Sequence, residues 1–238
     1  MQHSVQLTYD QKHSLSWGKF IGSLLFAYFG TGLISGLFVV LPAIIYTHGL
    51  TDKKQIALYE SIGNTGNTLL QLLVLLLFIY KFEPIKRLLF PIFNFQVLKK
   101  VRTYIYLFLF LGLSILINQF FLASLFPDAP QQQSNALHLE TLKQYKILLI
   151  IGSAIFIPIF EELIFRGIIL QFFQQRFPFW LASIGSSFIF GIAHTYSLGI
   201  MVSAFIMGMF MAVLCKKTNS IIPAMLFHMI NNTLAFLL

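Results

Sequence analysis

Two adjacent carboxylates, Glu161 and Glu162, stand in the apolar run IGSAIFIPIFEELIFRGIIL, and of the eight acidic residues they alone fall inside an apolar stretch. A charged carboxylate at the centre of a bilayer-spanning helix costs about 2.5–3.5 kcal/mol on the gentlest insertion scale, so an adjacent pair needs partners and usually a task. Arg166 follows Glu162 by four residues, which puts the two on one helical face with the acid on the N-terminal side, the better order for an ion pair. Glu161 is turned by about 100° from its neighbour. Glu162 is therefore expected to hold the arginine while Glu161 is free to act.

Two imidazoles lie at membrane depth on other segments, His194 in FGIAH and His228 in HMINN. His228 and Asn232 are four residues apart and share a face, whereas Asn231 is turned about 100° off that line. Pro158, a turn before the glutamates, removes a backbone donor and leaves a carbonyl for water or a neighbouring helix to satisfy. A carboxylate that takes a proton from water and returns it to a leaving group is a general base and acid. A histidine beside it orients the water, and a His–Asn pair can donate hydrogen bonds to a developing oxyanion. Such a set hydrolyses an amide. Alternatively, Glu161, His194 and His228 could hold a zinc ion with water in the fourth position, although the spacing is not that of an HExxH helix. The metal-free mechanism is favoured, because Glu162 is better used on Arg166 than behind a zinc-bound histidine and because a three-ligand zinc site leaves Asn232 without a task.

The elements that position these groups are set by composition. With 57% hydrophobic and 10% charged residues, the chain cannot be folded in water without large exposed apolar patches. It is predicted to be all-α, a polytopic bundle of transmembrane helices. About 20 residues cross a hydrocarbon core of about 30 Å, and spans are expected near 20–45, 61–80, 103–126, 146–172, 179–197, 198–215 and 219–238: seven, with six to eight as the range. The first is too long for a signal-peptide core and lacks a cleavage pattern, so it is read as retained. Gly32 with Gly36, and Gly63 with Gly66, are expected to be packing seams, and Asn64 and Asn67 interhelical glue. Residues 1–145 supply helices and loops and 146–238 the site, within one continuous membrane domain. Cys215 has no partner for an internal disulfide.

The net charge of +8 does not point to nucleic acid, because the basic residues sit in short loops where topology determinants belong. One side of the membrane would carry Lys12, Lys19, Lys81, Lys86, Arg87, Lys99, Lys100, Arg102, Arg176, Lys216 and Lys217, and the other Lys53, Lys54, Lys143 and Lys146, which puts the N-terminus in the cytoplasm.

EELIFR, FGIAH and HMINN resemble the EExxxR, FxxxH and HxxxN signatures of the CPBP intramembrane proteases, a family that includes the type II CAAX prenyl endopeptidases and bacterial abortive-infection or bacteriocin-immunity proteins. The resemblance covers about residues 146 to 238. It implies that Glu161 and His194 activate water, that His228 and Asn232 form the oxyanion hole, and that Glu162 and Arg166 support the site. It leaves the metal question open. It does not give the substrate; with no soluble domain read in the sequence, a membrane-associated protein or peptide is the expected target, and the bacterial members imply a plasma-membrane location. Two other functions fit fewer of these residues. A proton-coupled transporter also places Glu, Arg and His inside a bundle, but no inverted repeat is visible. A non-catalytic, peptide-binding immunity protein has no physical need for Glu161 beside two imidazoles.

Overall fold

Every apolar segment read from the sequence is helical, as lipid requires of a backbone that must satisfy its own polar groups. The structure is a computed structural model describing residues 15–237; Lys12 and Leu238 lie outside the described residues. In chain order the helices are α1 (Trp17–Thr47), α2 (Lys53–Lys81), α3 (Glu83–Leu89), α4 (Val101–Leu125), α5 (Ala129–Ala136), α6 (Leu139–Gln174), α7 (Phe179–Ile192), α8 (Leu198–Thr218) and α9 (Ile222–Leu237). Among the described residues, α1, α2, α4, α6 and α8 are long and apolar enough to cross a membrane, and α7 and α9 are shorter apolar helices. No strand occurs among the described residues. The protein is an all-α integral membrane bundle.

Two boundaries differ from expectation in a way that matters for the site. The span expected at 179–197 ends at Ile192, so His194 lies just past the helix end and not within it. At 1.5 Å per residue, α7 is about 21 Å long and α8 about 31 Å. Ser197 then starts α8 by accepting from the Ile200 N–H at 3.3 Å, and Asn219, left-handed at φ 51°, ends it. The other difference is α6, which begins at Leu139 and not at 146, continuing through the end of the expected polar loop.

Packing separates inner from outer helices. The most apolar windows of α6 and α8 are 44% buried, against 17–24% for α1, α2 and α4. From Leu163 to Leu170 every residue of α6 is buried, the signature of a helix surrounded by protein. On the outer helices Phe29, Phe38, Phe108 and Phe120 are at least 60% exposed, as lipid-facing side chains should be. The seam at Gly63 and Gly66 is real, with room for little more than the Ala43 and Val39 side chains opposite. Gly32 and Gly36 are not a seam: a Cβ at either would meet nothing within 4 Å. The buried stripe of α1 runs one position away, through Ala27, Thr31 and Ser35, where the Thr31 and Ser35 hydroxyls bond back to Ala27 and Gly32 carbonyls. Asn67 accepts from Gln71 on its own helix, while Thr65 supplies the interhelical bond, to the Leu148 carbonyl at 3.0 Å.

The contacts also sort the basic residues by bundle end. Leu15 meets Gln175 and Arg176, Ser220 and Ile221 bond to the carbonyls of Asn94 and Ile92, and Lys216 lies over Phe179. One end therefore carries Lys19, the Lys81–Arg102 group, Arg176, Lys216 and Lys217. Lys53, Lys54, Lys143 and Lys146 belong to the other, where Tyr145 bonds to the Lys54 carbonyl.

Candidate active site

The glutamates sit between two wide turns of α6, at Ile150–Phe156 and Leu163–Ile169, where the backbone bonds run to the fifth residue. Such turns are frequent at functional sites, although α1 and α4 carry them too, at Phe26–Gly30, Gly36–Val40 and Ile117–Leu122. The first is pressed against α2, since a Cβ on Gly152 would stand 3.2 Å from Thr65 Oγ1 and 3.3 Å from Thr65 Cα. Glycine is needed there for helix approach. Pro158 follows directly and opens the regular segment Ile157–Glu162.

Glu162 is the hub. Its Oε1 accepts from Arg166 Nη1 at 2.9 Å and from His228 Nδ1 at 3.1 Å. Both Glu162 and Arg166 have fully buried side chains, and His228 is 1% exposed. The ion pair expected from the i, i+4 spacing is therefore present, and it has a third member that the spacing could not reveal. His228 Nε2 points the other way, 3.6 Å from Glu161 Oε2. Glu161 keeps 21% of its side-chain surface, so it is the carboxylate that a reactant can reach.

The remaining guanidinium surface rests on rings. Arg166 Cζ stands 4.4 Å from the Phe190 centroid, a cation–π distance, while Nε and Nη2 have no hydrogen-bond partner among the described residues. Phe190 also meets both histidines edge-on, with centroids 4.6 Å from His194 and 5.7 Å from His228. Its carbonyl lies 2.8 Å from His194 Nδ1. A carbonyl only accepts, so Nδ1 carries the proton and Nε2 of the neutral ring is an acceptor. His194 thus reaches the cluster through Phe190, four residues earlier, although it stands beyond the end of α7. Tyr196 packs edge-on to His194 at 6.2 Å.

Asn232 is on the same side of α9 as His228, as its spacing requires, and donates through Nδ2 to the Ser153 carbonyl at 3.3 Å. The site therefore joins α6, α7 and α9. Arg166 reaches toward α8 as well: a Cβ on Gly208 would be 3.1 Å from Arg166 Nη2 and 2.9 Å from Ser187 Cβ. Phe190, Ser153 and Gly208 are the participants that chemical type alone did not single out; FxxxH spacing is the only signal that touches one of them.

Of the three residues considered as zinc ligands, Glu161 and His228 face each other at 3.6 Å, and among the described residues no three His, Cys, Asp or Glu side chains are grouped to hold a metal ion.

Residues 143–234 match the family described as type II CAAX prenyl endopeptidase Rce1-like. No curated protein and no solved structure matches the chain. The matched stretch contains Glu161, Glu162, Arg166, His194, His228 and Asn232, and residues 143–234 are thus an Rce1-like domain of the CPBP/CAAX intramembrane protease family.

Proposed function

We propose that this protein is an intramembrane endopeptidase that hydrolyses a peptide bond of a membrane-associated protein or peptide, with Glu161 as general base. The observation that carries the reading is the division of labour between the adjacent glutamates: Glu162 is buried under Arg166 and His228, whereas Glu161 is partly exposed and faces His228 Nε2. With Glu161 and Glu162 ionised and Arg166 and His228 protonated, the cluster is neutral. Moving one proton from water to Glu161 places the balancing negative charge on the oxyanion, so no net charge appears in low dielectric. The 3.6 Å gap is too long for a direct hydrogen bond, and a water about 2.8 Å from each atom would bridge it.

In the proposed reaction Glu161 takes a proton from that water as its oxygen bonds to the carbonyl carbon, with His194 Nε2 accepting the second water hydrogen and fixing its direction. The carbonyl oxygen becomes an oxyanion that receives His228 Nε2–H and the Asn232 N–H not directed at Ser153. Glu161 then delivers its proton to the amide nitrogen as the C–N bond breaks. Glu162 keeps the proton of His228 on Nδ1, and Arg166 and Phe190 support that arrangement. By the positive-inside rule the more basic end of the bundle faces the cytoplasm, with the N-terminus there.

Purified protein in proteoliposomes, offered a prenylated C-terminal peptide and an unprenylated transmembrane peptide, should cleave at least one, read by mass spectrometry. Glu161→Gln should abolish cleavage while the protein stays folded. More than a tenth of wild-type turnover in that variant refutes the general base. Activity lost on exhaustive chelation and restored by zinc would instead make Glu161, His194 and His228 ligands.

A further inference from the structure

The bond from Asn232 to Ser153 coincides with a defect in α6. In the wide turn at Ile150–Phe156 the Ile157 N–H goes to the Gly152 carbonyl, five residues back. The next bond in that register would run from residue 158 to the Ser153 carbonyl. Residue 158 is proline and has no N–H to give. A backbone carbonyl left unpaired inside lipid is costly, and the donor that reaches this one is Asn232 Nδ2, at 3.3 Å from α9.

We infer that Asn232 is a positioning residue, a latch that replaces the backbone donor missing at Pro158 and so fixes α9 against α6. The consequence falls on His228. It stands one turn before Asn232 on the same face of α9 and meets Glu162 on α6 at 3.1 Å. The two helices are therefore tied at two points, Glu162 to His228 and Ser153 to Asn232. One tie alone leaves a helix free to pivot; two fix both its rotation and its depth, which sets where His228 Nε2 points. An amide carries two N–H groups, so the latch uses one and leaves the other for the oxyanion role proposed above. A leucine of similar size could fill the position but could not close the carbonyl.

Pro158 makes this testable without a substrate, so failure of the latch and failure of the protease reading can be told apart. Pro158→Ala supplies an N–H where the wide-turn register needs one and should make Asn232 dispensable. The measurement is diethyl pyrocarbonate labelling of His228, quantified by peptide mass spectrometry in detergent-solubilised full-length protein, with exposed His48 as the reference. Buried Cys215, probed with a maleimide, reports whether the bundle stays intact. In Asn232→Ala and Asn232→Leu the labelling of His228 should rise about tenfold with Cys215 still protected. In the double variant Pro158→Ala/Asn232→Ala it should return to within twofold of wild type, while Pro158→Ala alone leaves it unchanged. Labelling that does not rise in the single variants, or that rises and is not reversed by Pro158→Ala, overturns the latch. So does exposure of Cys215 in Asn232→Leu, which would make the contact one part of global stability and not a local tie.

Discussion

Replacing Arg166 by methionine, which keeps an unbranched stem but no charge, isolates the buried ion pair. Arg166 Nη1 and Glu162 Oε1 are 2.9 Å apart with neither side chain exposed. At an effective dielectric of about 20, two unit charges at that separation attract by about 6 kcal/mol, most of which offsets the cost of taking both from water. The informative quantity is the cost of leaving one charge behind, about 3–5 kcal/mol for a buried pair. Arg166→Met leaves Glu162 with His228 alone, and it also removes the cation above Phe190, worth up to about 2 kcal/mol in a desolvated site. Glu162→Gln leaves the guanidinium without its carboxylate. Each single change should therefore destabilise by about 3–5 kcal/mol. The double variant should cost less than either, because methionine is apolar and the amide oxygen that Glu162→Gln introduces can still accept from His228 Nδ1.

The assay is equilibrium unfolding by SDS in mixed micelles, with wild type, both single variants and the double variant forming a cycle. Because the double variant costs less than either single change, a coupling of at least about 3–5 kcal/mol is expected, above the ordinary range for residues in one network. Additivity within about 0.5 kcal/mol would mean that the two side chains do not depend on one another, and the hub described above would be wrong. If Arg166→Met is as stable as wild type and only cleavage slows, the arginine touches substrate and its supporting role is refuted.

His194→Ala should reduce cleavage nearly as far as Glu161→Gln with little change in stability, since its ring is half-buried beyond the end of α7; a stability loss as large as that of Arg166→Met would make it structural. Gly208→Ala places a methyl 2.9 Å from Ser187 Cβ and 3.1 Å from Arg166 Nη2, an overpacking expected to cost about 1–3 kcal/mol. Ser187→Gly in the same chain should recover most of that loss, and failure to recover it would place the strain elsewhere. Outside the spans, the carboxyl of Glu83 is held below the usual glutamate range by the Arg87 hydrogen bond at 2.8 Å, with Lys86 adding to the effect. Its small stabilisation is present above the unfolded-state pKa and lost as pH falls through the folded one; Arg87→Gln should move the Glu83 NMR titration midpoint upward, and an unchanged midpoint would show that the bond does not persist.

The bundle and the candidate site residues are legible from the chain because both rest on local information. Apolar run length marks helices, and an ionisable side chain inside such a run is conspicuous whatever it contacts. The Glu162–Arg166 pair is visible for the same reason: both partners are on one helix. What stays hidden involves two helices at once. Motif resemblance gives His228 to the oxyanion alone, yet it stands between the two glutamates, because antiparallel packing of α9 on α6 decides its neighbours and no spacing encodes that packing. Read from the sequence, α7 runs five residues too far, because the polar stretch HTYS is only four residues long between two apolar runs. Gly32 and Gly36 satisfy a small-residue pattern that also occurs on faces turned toward lipid, so the pattern could not locate the seam.

Pro158 shows how a local rule can point beyond its own segment without naming its destination. A proline inside a helix guarantees an unclaimed carbonyl, and in a membrane that carbonyl must find a donor from another element. The rule predicts that a partner exists; it cannot choose among the amides and hydroxyls of the other helices. It cannot even choose the carbonyl, because an α-helical register would strand Ala154 whereas the wide turn strands Ser153. The wide turn that decides the carbonyl lies where α2 presses on α6, at Gly152 and Thr65. If that contact holds the register, it selects the atom to which α9 is tied, and through that tie the N-terminal helices bear on the orientation of His228 although none of them contributes a residue to the proposed chemistry.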